Sequence, residues 1–188
     1  MRAQIEQFPE MLYAHAHLRR AVLILPGLNL LNSTREIPEL IDPKADPPTD
    51  IETYRGVVYP SELDHMGHMN VQWYTAKFDS ATWQFFSAVG ITSGYMSENH
   101  MGMAALEQTI RYQSEAMAGN LLHVRSRALD ISNRTLRFLH TMYNSETGTE
   151  IATCELVAAH LDRTLRKSCP LPNFVGKRCG ELFHFQDN

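Results

Sequence analysis

Between Val71 and Val89 the chain contains neither glycine nor proline, and its apolar residues recur at the three-to-four spacing of one helix face. Val71, Tyr74, Phe78, Ala81, Phe85 and Val89 form that face, while Trp73, Ala76, Trp83 and Phe86 widen it around the cylinder. Gln72, Thr75, Asp79 and Thr82 mark out a narrow polar stripe. The spacing predicts a helix of about five turns. Asn70 opens it, because its side-chain oxygen can accept one of the orphan backbone N–H groups at a helix start, and Gly90 closes it. A helix apolar over most of its circumference has to be wrapped by other structure.

The strand-like segments are the natural wrapper. Residues 54–59 (YRGVVY) read as a short strand ending at Pro60, and residues 91–102 as a loop or short helical crossing. Segments 103–114, 121–131, 135–143 and 151–163 then follow, separated by hairpin connections such as Ala118-Gly119-Asn120 and Ser132-Asn133. Leu136, Phe138, His140 and Met142 alternate with Arg137, Thr141 and Tyr143, so one face of that strand can cover the helix. The class expected is α+β: a strand, a long central helix, and four further antiparallel strands.

At 188 residues the chain is long enough for one domain and an appendage. Residues 1–50 differ in texture from the rest. They begin with a stretch able to form an amphipathic helix, continue with AVLILPGLNLL, and end in a linker rich in proline and aspartate. The apolar run is too short and too broken to span a bilayer, and the twenty residues before it, Glu6 and Glu10 among them, are unlike the basic start of a signal peptide. The domain proper is expected over 51–172, with 173–188 as a C-terminal tail. A net charge of -4 and the lack of an arginine-rich run argue against a nucleic-acid partner. Cys154, Cys169 and Cys179 are odd in number and contain no CxxC pair, which fits reduced thiols and a cytoplasmic setting.

The chemistry-bearing residues lie in the turn ahead of the helix, DHMGHMN. Asp64 can act as a nucleophile or as a general base toward water. The first free N–H of the helix, near Val71, points its partial positive charge outward and can stabilise an oxyanion. Gly67 allows a tight turn or a close approach by substrate. Simpler roles exist for each group: Asp64 can close an Asx turn, Asn70 can cap the helix, and the aromatic run can be core. His65 and His68 have metal-ligand spacing, but no third and fourth ligand accompanies them, so no metal site is assigned.

The stretch VVYPSELDHMGHMNVQWYTAKFDSATWQFFSAVGI resembles the hotdog-fold acyl-CoA thioesterases related to 4-hydroxybenzoyl-CoA thioesterase, in particular their D-x-x-G-H-M-N branch. Tyr112, Glu115 and Gly119 continue the likeness, which covers about 54–172. The resemblance implies a central helix enclosed by a curved antiparallel sheet of about five strands. It also implies a homodimer or dimer of dimers, with sites at the subunit interface. Asp64 then matches the catalytic carboxylate, His68 and Asn70 match positions that orient substrate or water, and the N–H at about Val71 matches the donor to the thioester carbonyl. One departure stands out: relatives with the nearest motif often carry Asn where this chain has Met66, and His65 has no fixed polar counterpart.

The expected activity is hydrolysis of an acyl-CoA or related acyl thioester, with no cofactor beyond the coenzyme A of the substrate. Gly67, Met69, Val71 and Trp73 are the expected substrate contacts, and Met101 and Met103 are further candidates for an apolar acyl site. Arg125, Arg127, Arg134 and Arg137 are cationic candidates for the phosphates, though exposed strand arginines more often serve solubility. A non-catalytic hotdog binding or scaffold protein is the alternative, since fold alone does not exclude it. An enoyl-thioester hydratase or dehydratase ranks last, because Asp64 and His68 are four apart and open the central helix.

Overall fold

The computed structural model describes residues 49–183, and the N-terminal arm and most of the proline-rich linker lie outside them. The described chain begins with strand β1 (Ile51–Val57), a 3-10 turn (Pro60–Glu62) and helix α1 (Val71–Ala88). Helix α2 (Ser93–Glu98), strands β2 (Met101–Tyr112), β3 (Leu121–Ile131), β4 (Thr135–Asn144), β5 (Glu150–Asp162) and β6 (Lys167–Ser168), and helix α3 (Asn173–Phe183) follow. The sheet runs β1-β3-β4-β5-β2, antiparallel throughout, with β6 as a short addition beside β5. This is the expected α+β arrangement, a curled antiparallel sheet around a long helix.

Helix α1 stops where the glycine stops it. Gly90 adopts φ +93°, and the N–H of Ile91 returns to the carbonyl of Phe86 at 2.8 Å, closing the C-terminus in a left-handed turn open to glycine at little cost. The curl of the sheet comes from register shifts between Glu52 and Tyr54, Ala105 and Glu107, and Ala128 and Asp130, each of which bends its strand. Leu122, Val124, Leu136, Phe138 and Met142 of β3 and β4 are buried with Tyr74, Phe78, Ala81 and Phe85 of α1. The Phe85 and Phe138 rings stack with centroids 4.6 Å apart.

Two features of α1 depart from its sequence pattern. Trp83 is 54% exposed, whereas Lys77 is buried. The sheet covers one side of the helix only, so Ala76 and Trp83 border an open cavity, and Lys77 turns inward because an acidic partner awaits it there. The segment after residue 172 is also more than a trailing end. It forms α3, whose Val175, Cys179 and Phe183 are buried at four-residue spacing, and Phe183 stacks on Phe85 at 5.8 Å. No helix among the described residues is long and apolar enough to cross a membrane.

A polar chain crosses this core. Thr53 Oγ1 on β1 lies 2.5 Å from Ser126 Oγ on β3, Ser126 Oγ lies 2.5 Å from His140 Nδ1 on β4, and His140 Nε2 lies 3.0 Å from Thr82 Oγ1 on α1. Each buried polar atom thereby finds a partner, which removes the main cost of placing it there. Burial pushes the His140 imidazole down to about 3, so the folded protein holds it neutral. The unfolded chain takes up a proton near the ordinary histidine value, about 6.5, and therefore binds more protons than the folded state between that pH and about 3. Stability falls as pH drops through this window. Between pH 7 and 5 this one group should remove about 2 kcal/mol of unfolding free energy, and urea titrations should show that loss shrinking in His140→Gln.

Candidate active site

The turn between Leu63 and Asn70 is a closed loop held at its base. Leu63 and Met69 form an isolated antiparallel bridge, and the Asp64 N–H donates to the His68 carbonyl at 3.0 Å. Asp64 Oδ1 accepts the Met66 N–H at 2.8 Å, an Asx turn, and Gly67 sits at φ +85° where the loop reverses. Two further bonds dock the loop: Met69 N–H to the Ala116 carbonyl at 2.8 Å, and Asn70 N–H to the Glu62 carbonyl at 2.9 Å.

At the helix start, Asn70 takes two of the orphan donors. Its side-chain oxygen accepts the Gln72 N–H at 3.0 Å and its backbone carbonyl accepts the Trp73 N–H at 2.9 Å. The Val71 N–H makes no hydrogen bond with any described residue. It is an unspent donor at the positive end of an 18-residue helix.

Val71 borders a cavity of about 310 Å³ that is also lined by Asp64, His68, Met69, Tyr74 and residues 112–115. His68 lies between two carboxylates, with Nδ1 3.7 Å from Asp64 Oδ2 and Nε2 3.7 Å from Glu115 Oε1. Both spacings exceed hydrogen-bond length, so the imidazole stands between the two carboxylates without a hydrogen bond to either. Its two nitrogens face opposite ways, and among the described residues no group of three or more His, Cys, Asp or Glu is arranged to hold a metal ion. Burial raises the Tyr74 phenol above its ordinary value, opposed by a hydrogen bond with the Ala116 backbone, while the charges of Tyr112, Glu115 and Asp64 push the same way as burial. Tyr74 therefore stays a neutral hydroxyl at the cavity wall.

Residues 58–179 match the Thioesterase-like superfamily. The chain belongs to that superfamily. Among its relatives is the L-carnitine dehydrogenase/betainyl-CoA thioesterase of Rhizobium meliloti, 26% identical over 110 residues, or 58% of this chain and 22% of that protein. The chain thus spans about a fifth of the length of that relative. A second is the betainyl-CoA thioesterase of Pseudomonas aeruginosa, 24% identical over 132 residues, which are 70% of this chain and 83% of that one. A Staphylococcus aureus protein solved in complex with CoA has a TM-score of 0.67 at 20% identity, covering 74% of this chain and 88% of its own, a likeness of fold.

In this thioesterase-like chain the sequence-predicted residues divide into two groups. Asp64, His68, Met69 and Val71 share the cavity wall. Gly67 shapes the loop, Asn70 caps the helix, and Trp73 packs against the hydrophobic core, and none of the three is among the residues lining the cavity. Tyr74, Gln113 and Ser114 join the wall unannounced, since Tyr74 reads as core and the other two as a strand end. Of the arginines, Arg125 is paired with Asp50 and Arg137 with Glu155.

Beneath the loop is the acidic partner of Lys77. The Lys77 ammonium lies 2.9 Å from Glu62 Oε2 and donates to the Val57 carbonyl at 3.3 Å, while Glu62 Oε2 also accepts the Tyr59 N–H at 3.2 Å. Both side chains are buried, and the backbone carbonyl of the same Glu62 holds Asn70. The pair thus ties β1, the 3-10 turn, the Asp64 loop and α1 into one unit. Glu62→Gln or Lys77→Met alone should cost about 3–5 kcal/mol in urea unfolding, because each strands a buried charge, and the double change Glu62→Leu with Lys77→Met should recover most of it.

Proposed function

We propose that the chain hydrolyses an acyl thioester of coenzyme A, releasing the free acid and the thiol. The observation that carries the reading is that Val71, whose N–H is uncapped, and Asp64 line one cavity. A thioester carbonyl accepting that N–H gains charge on its oxygen as the carbonyl carbon becomes tetrahedral, and the helix terminus favours that charge. The membership of the superfamily and the names of the two relatives support the same reaction class.

Asp64 serves in one of two ways. As a base it takes a proton from water, the hydroxide oxygen bonds to the acyl carbon, the C–S bond breaks, and coenzyme A leaves as thiolate. As a nucleophile it bonds to the acyl carbon itself, expels the thiolate, and leaves an anhydride that water then cleaves. The Met66 N–H on Oδ1 fixes the carboxylate in both cases, and His68 stands between it and Glu115. The reaction needs no resident cofactor. Three cysteines with no disulfide among them fit a reducing, cytosolic setting.

The reading includes a homodimer. β2 is the twelve-residue edge of the sheet, its middle section Ala105 to Gln108 is exposed, and Leu106 is 63% exposed. A long unpaired edge of this kind is a template for a second strand. Light scattering should find a dimer for the native chain and a monomer for Leu106→Lys.

The reaction is tested by following free thiol from a panel of short, branched, aromatic and long acyl-CoA esters. Asp64→Asn should lower kcat by about 10²–10⁴-fold while the protein stays folded. A single turnover in heavy-oxygen water places the label in Asp64 for the nucleophilic route in which water attacks the Asp64 carboxyl carbon of the anhydride, and directly in the acid for the base route. Absence of thiol release from every ester would remove the hydrolase reading and leave the binding-protein alternative.

A further inference from the structure

The cavity that Asp64 and Val71 share holds a further donor whose hydrogen the chain itself does not use. Tyr74 lines the same wall and is 4% exposed. It lies one turn after Val71 on α1, and the Cα–Cβ bond of a helical residue tilts toward the helix N-terminus. The phenol is therefore carried back over the turn that begins at Val71, toward the Asp64 loop. Two contacts locate it there. The Tyr112 ring meets it edge to face with centroids 5.0 Å apart. The Ala116 backbone, whose carbonyl takes the Met69 N–H at 2.8 Å, hydrogen-bonds the hydroxyl.

The direction of that last bond decides what the hydroxyl can still do. Burial raises the phenol above its ordinary value, and the Ala116 backbone opposes burial by favouring the ionised form. A donating N–H has that effect, whereas a carbonyl would hold the proton on, and the Ala116 N–H has no other acceptor among the described residues. The Tyr74 oxygen thus accepts from Ala116, and its own hydrogen meets no acceptor in the described chain. Burial, joined by the charges of Tyr112, Glu115 and Asp64, keeps that hydrogen in place. A buried O–H donor with no acceptor is costly unless another molecule supplies one.

From this geometry we infer that Tyr74 donates its O–H to the thioester carbonyl oxygen, as the second donor of an oxyanion hole whose first is the Val71 N–H. The inference rests on the thioesterase reading for the ester it acts on. As the carbonyl carbon is attacked, its π pair moves onto the oxygen and both donors face the developing charge. When the C–S bond breaks, the pair returns to the carbonyl and the thiolate leaves. Tyr74 keeps its proton throughout. Two donors fix the plane of the carbonyl, where one fixes only a direction.

Three measurements on the full chain decide it. Tyr74→Phe removes the hydrogen and keeps the ring. With an ester that the native chain hydrolyses, kcat should fall about 10²-fold with KM little changed. The fall should be equal for alkyl and aryl thiol esters, because a donor to the carbonyl oxygen is indifferent to the leaving group. Since that change also takes the acceptor from Ala116, a second variant keeps the contact: 3,5-difluorotyrosine installed at position 74. It ionises at lower pH than tyrosine and donates only while protonated, so its alkaline loss of kcat should set in at lower pH than in the native chain. The other titratable groups around the hydroxyl are Asp64 and His68 of the loop, Tyr112 of β2 and Glu115 beyond it, and these are the same in both proteins. The third measurement needs no turnover. In a ketone analogue of the CoA ester, CH2 replaces sulfur, and its ¹³C-carbonyl resonance should move downfield on binding to the native chain and by less in Tyr74→Phe. Any one of three results overturns the inference: kcat unchanged in Tyr74→Phe, a loss confined to alkyl thiol esters, or an alkaline limb that stays in place with the fluorinated residue. If the native chain releases thiol from no ester, the thioesterase reading falls, and the ketone alone decides whether Tyr74 polarises a carbonyl in this cavity. A ketone that then fails to bind, or an equal shift in both proteins, overturns the inference.

Discussion

Everything at the candidate site depends on how the N-terminus of α1 is capped. A helix start offers several backbone donors with no internal partner, and a buried start must satisfy them. Here Asn70 serves two, Gln72 through its side chain and Trp73 through its carbonyl, and the Val71 N–H is left over. The leftover donor lines a cavity that Asp64 also lines, so it is not an unsatisfied group sealed in the core. In the proposed reaction the same atom is the oxyanion donor. A cap that satisfied all of the first turn would remove that function without altering the fold, and a weaker cap would fray the helix that carries the core.

The loop in front of the cap is held by charge, and the sheet behind it by neutral polar contacts. Lys77 and Glu62 are an ion pair taken out of water, and the cost of that burial is offset only because each charge has further hydrogen-bonding partners, Val57 for one and Tyr59 for the other. Hydrophobic residues could fill the same volume, but they would lack the Lys77 to Val57 and Tyr59 to Glu62 hydrogen bonds that join these segments. The Thr53, Ser126, His140 and Thr82 chain uses no charge, since burial keeps the imidazole neutral. It joins β1, β3, β4 and α1 in a fixed register, where aliphatic packing alone tolerates slippage.

The fold was legible in the sequence because its two periods are strong. The apolar run after Asn70 and the alternation of Leu136 to Met142 each point to one element, and turn residues punctuate them at Gly90, Gly119 and Gly148. What escaped was mostly pairwise. The helical period assigns Lys77 no role, and only the fold brings Glu62, fifteen positions earlier, beneath it. Trp83 reads as core because helical periodicity cannot tell which side of a helix the sheet will cover. Residues 173–183 read as a tail because only the docked position shows Val175, Cys179 and Phe183 facing one core. Likewise the cavity brings Tyr74 from the helix and 112–115 from the end of β2 to Asp64, a meeting that no local spacing encodes. Asp64, His68 and Val71 were legible because the turn and the helix start are contiguous in sequence.

Helix α1 thus separates a donor end from an open flank. Its N-terminal end supplies a dipole and an unspent donor, which in the proposed reaction act on the carbonyl and carry no information about the rest of the acyl group. Its exposed flank, with Thr75, Asp79 and Trp83 on successive turns, borders the open cavity along the helix and carries no part of the core. The two are packed differently. The terminus has to be rigid, and it is tied down by buried contacts to β1, the 3-10 turn and Ala116. The flank is open, and it is the one side of α1 that the sheet leaves uncovered. Because the face that anchors the helix is separate from the exposed flank, residues of the second can change without disturbing the first.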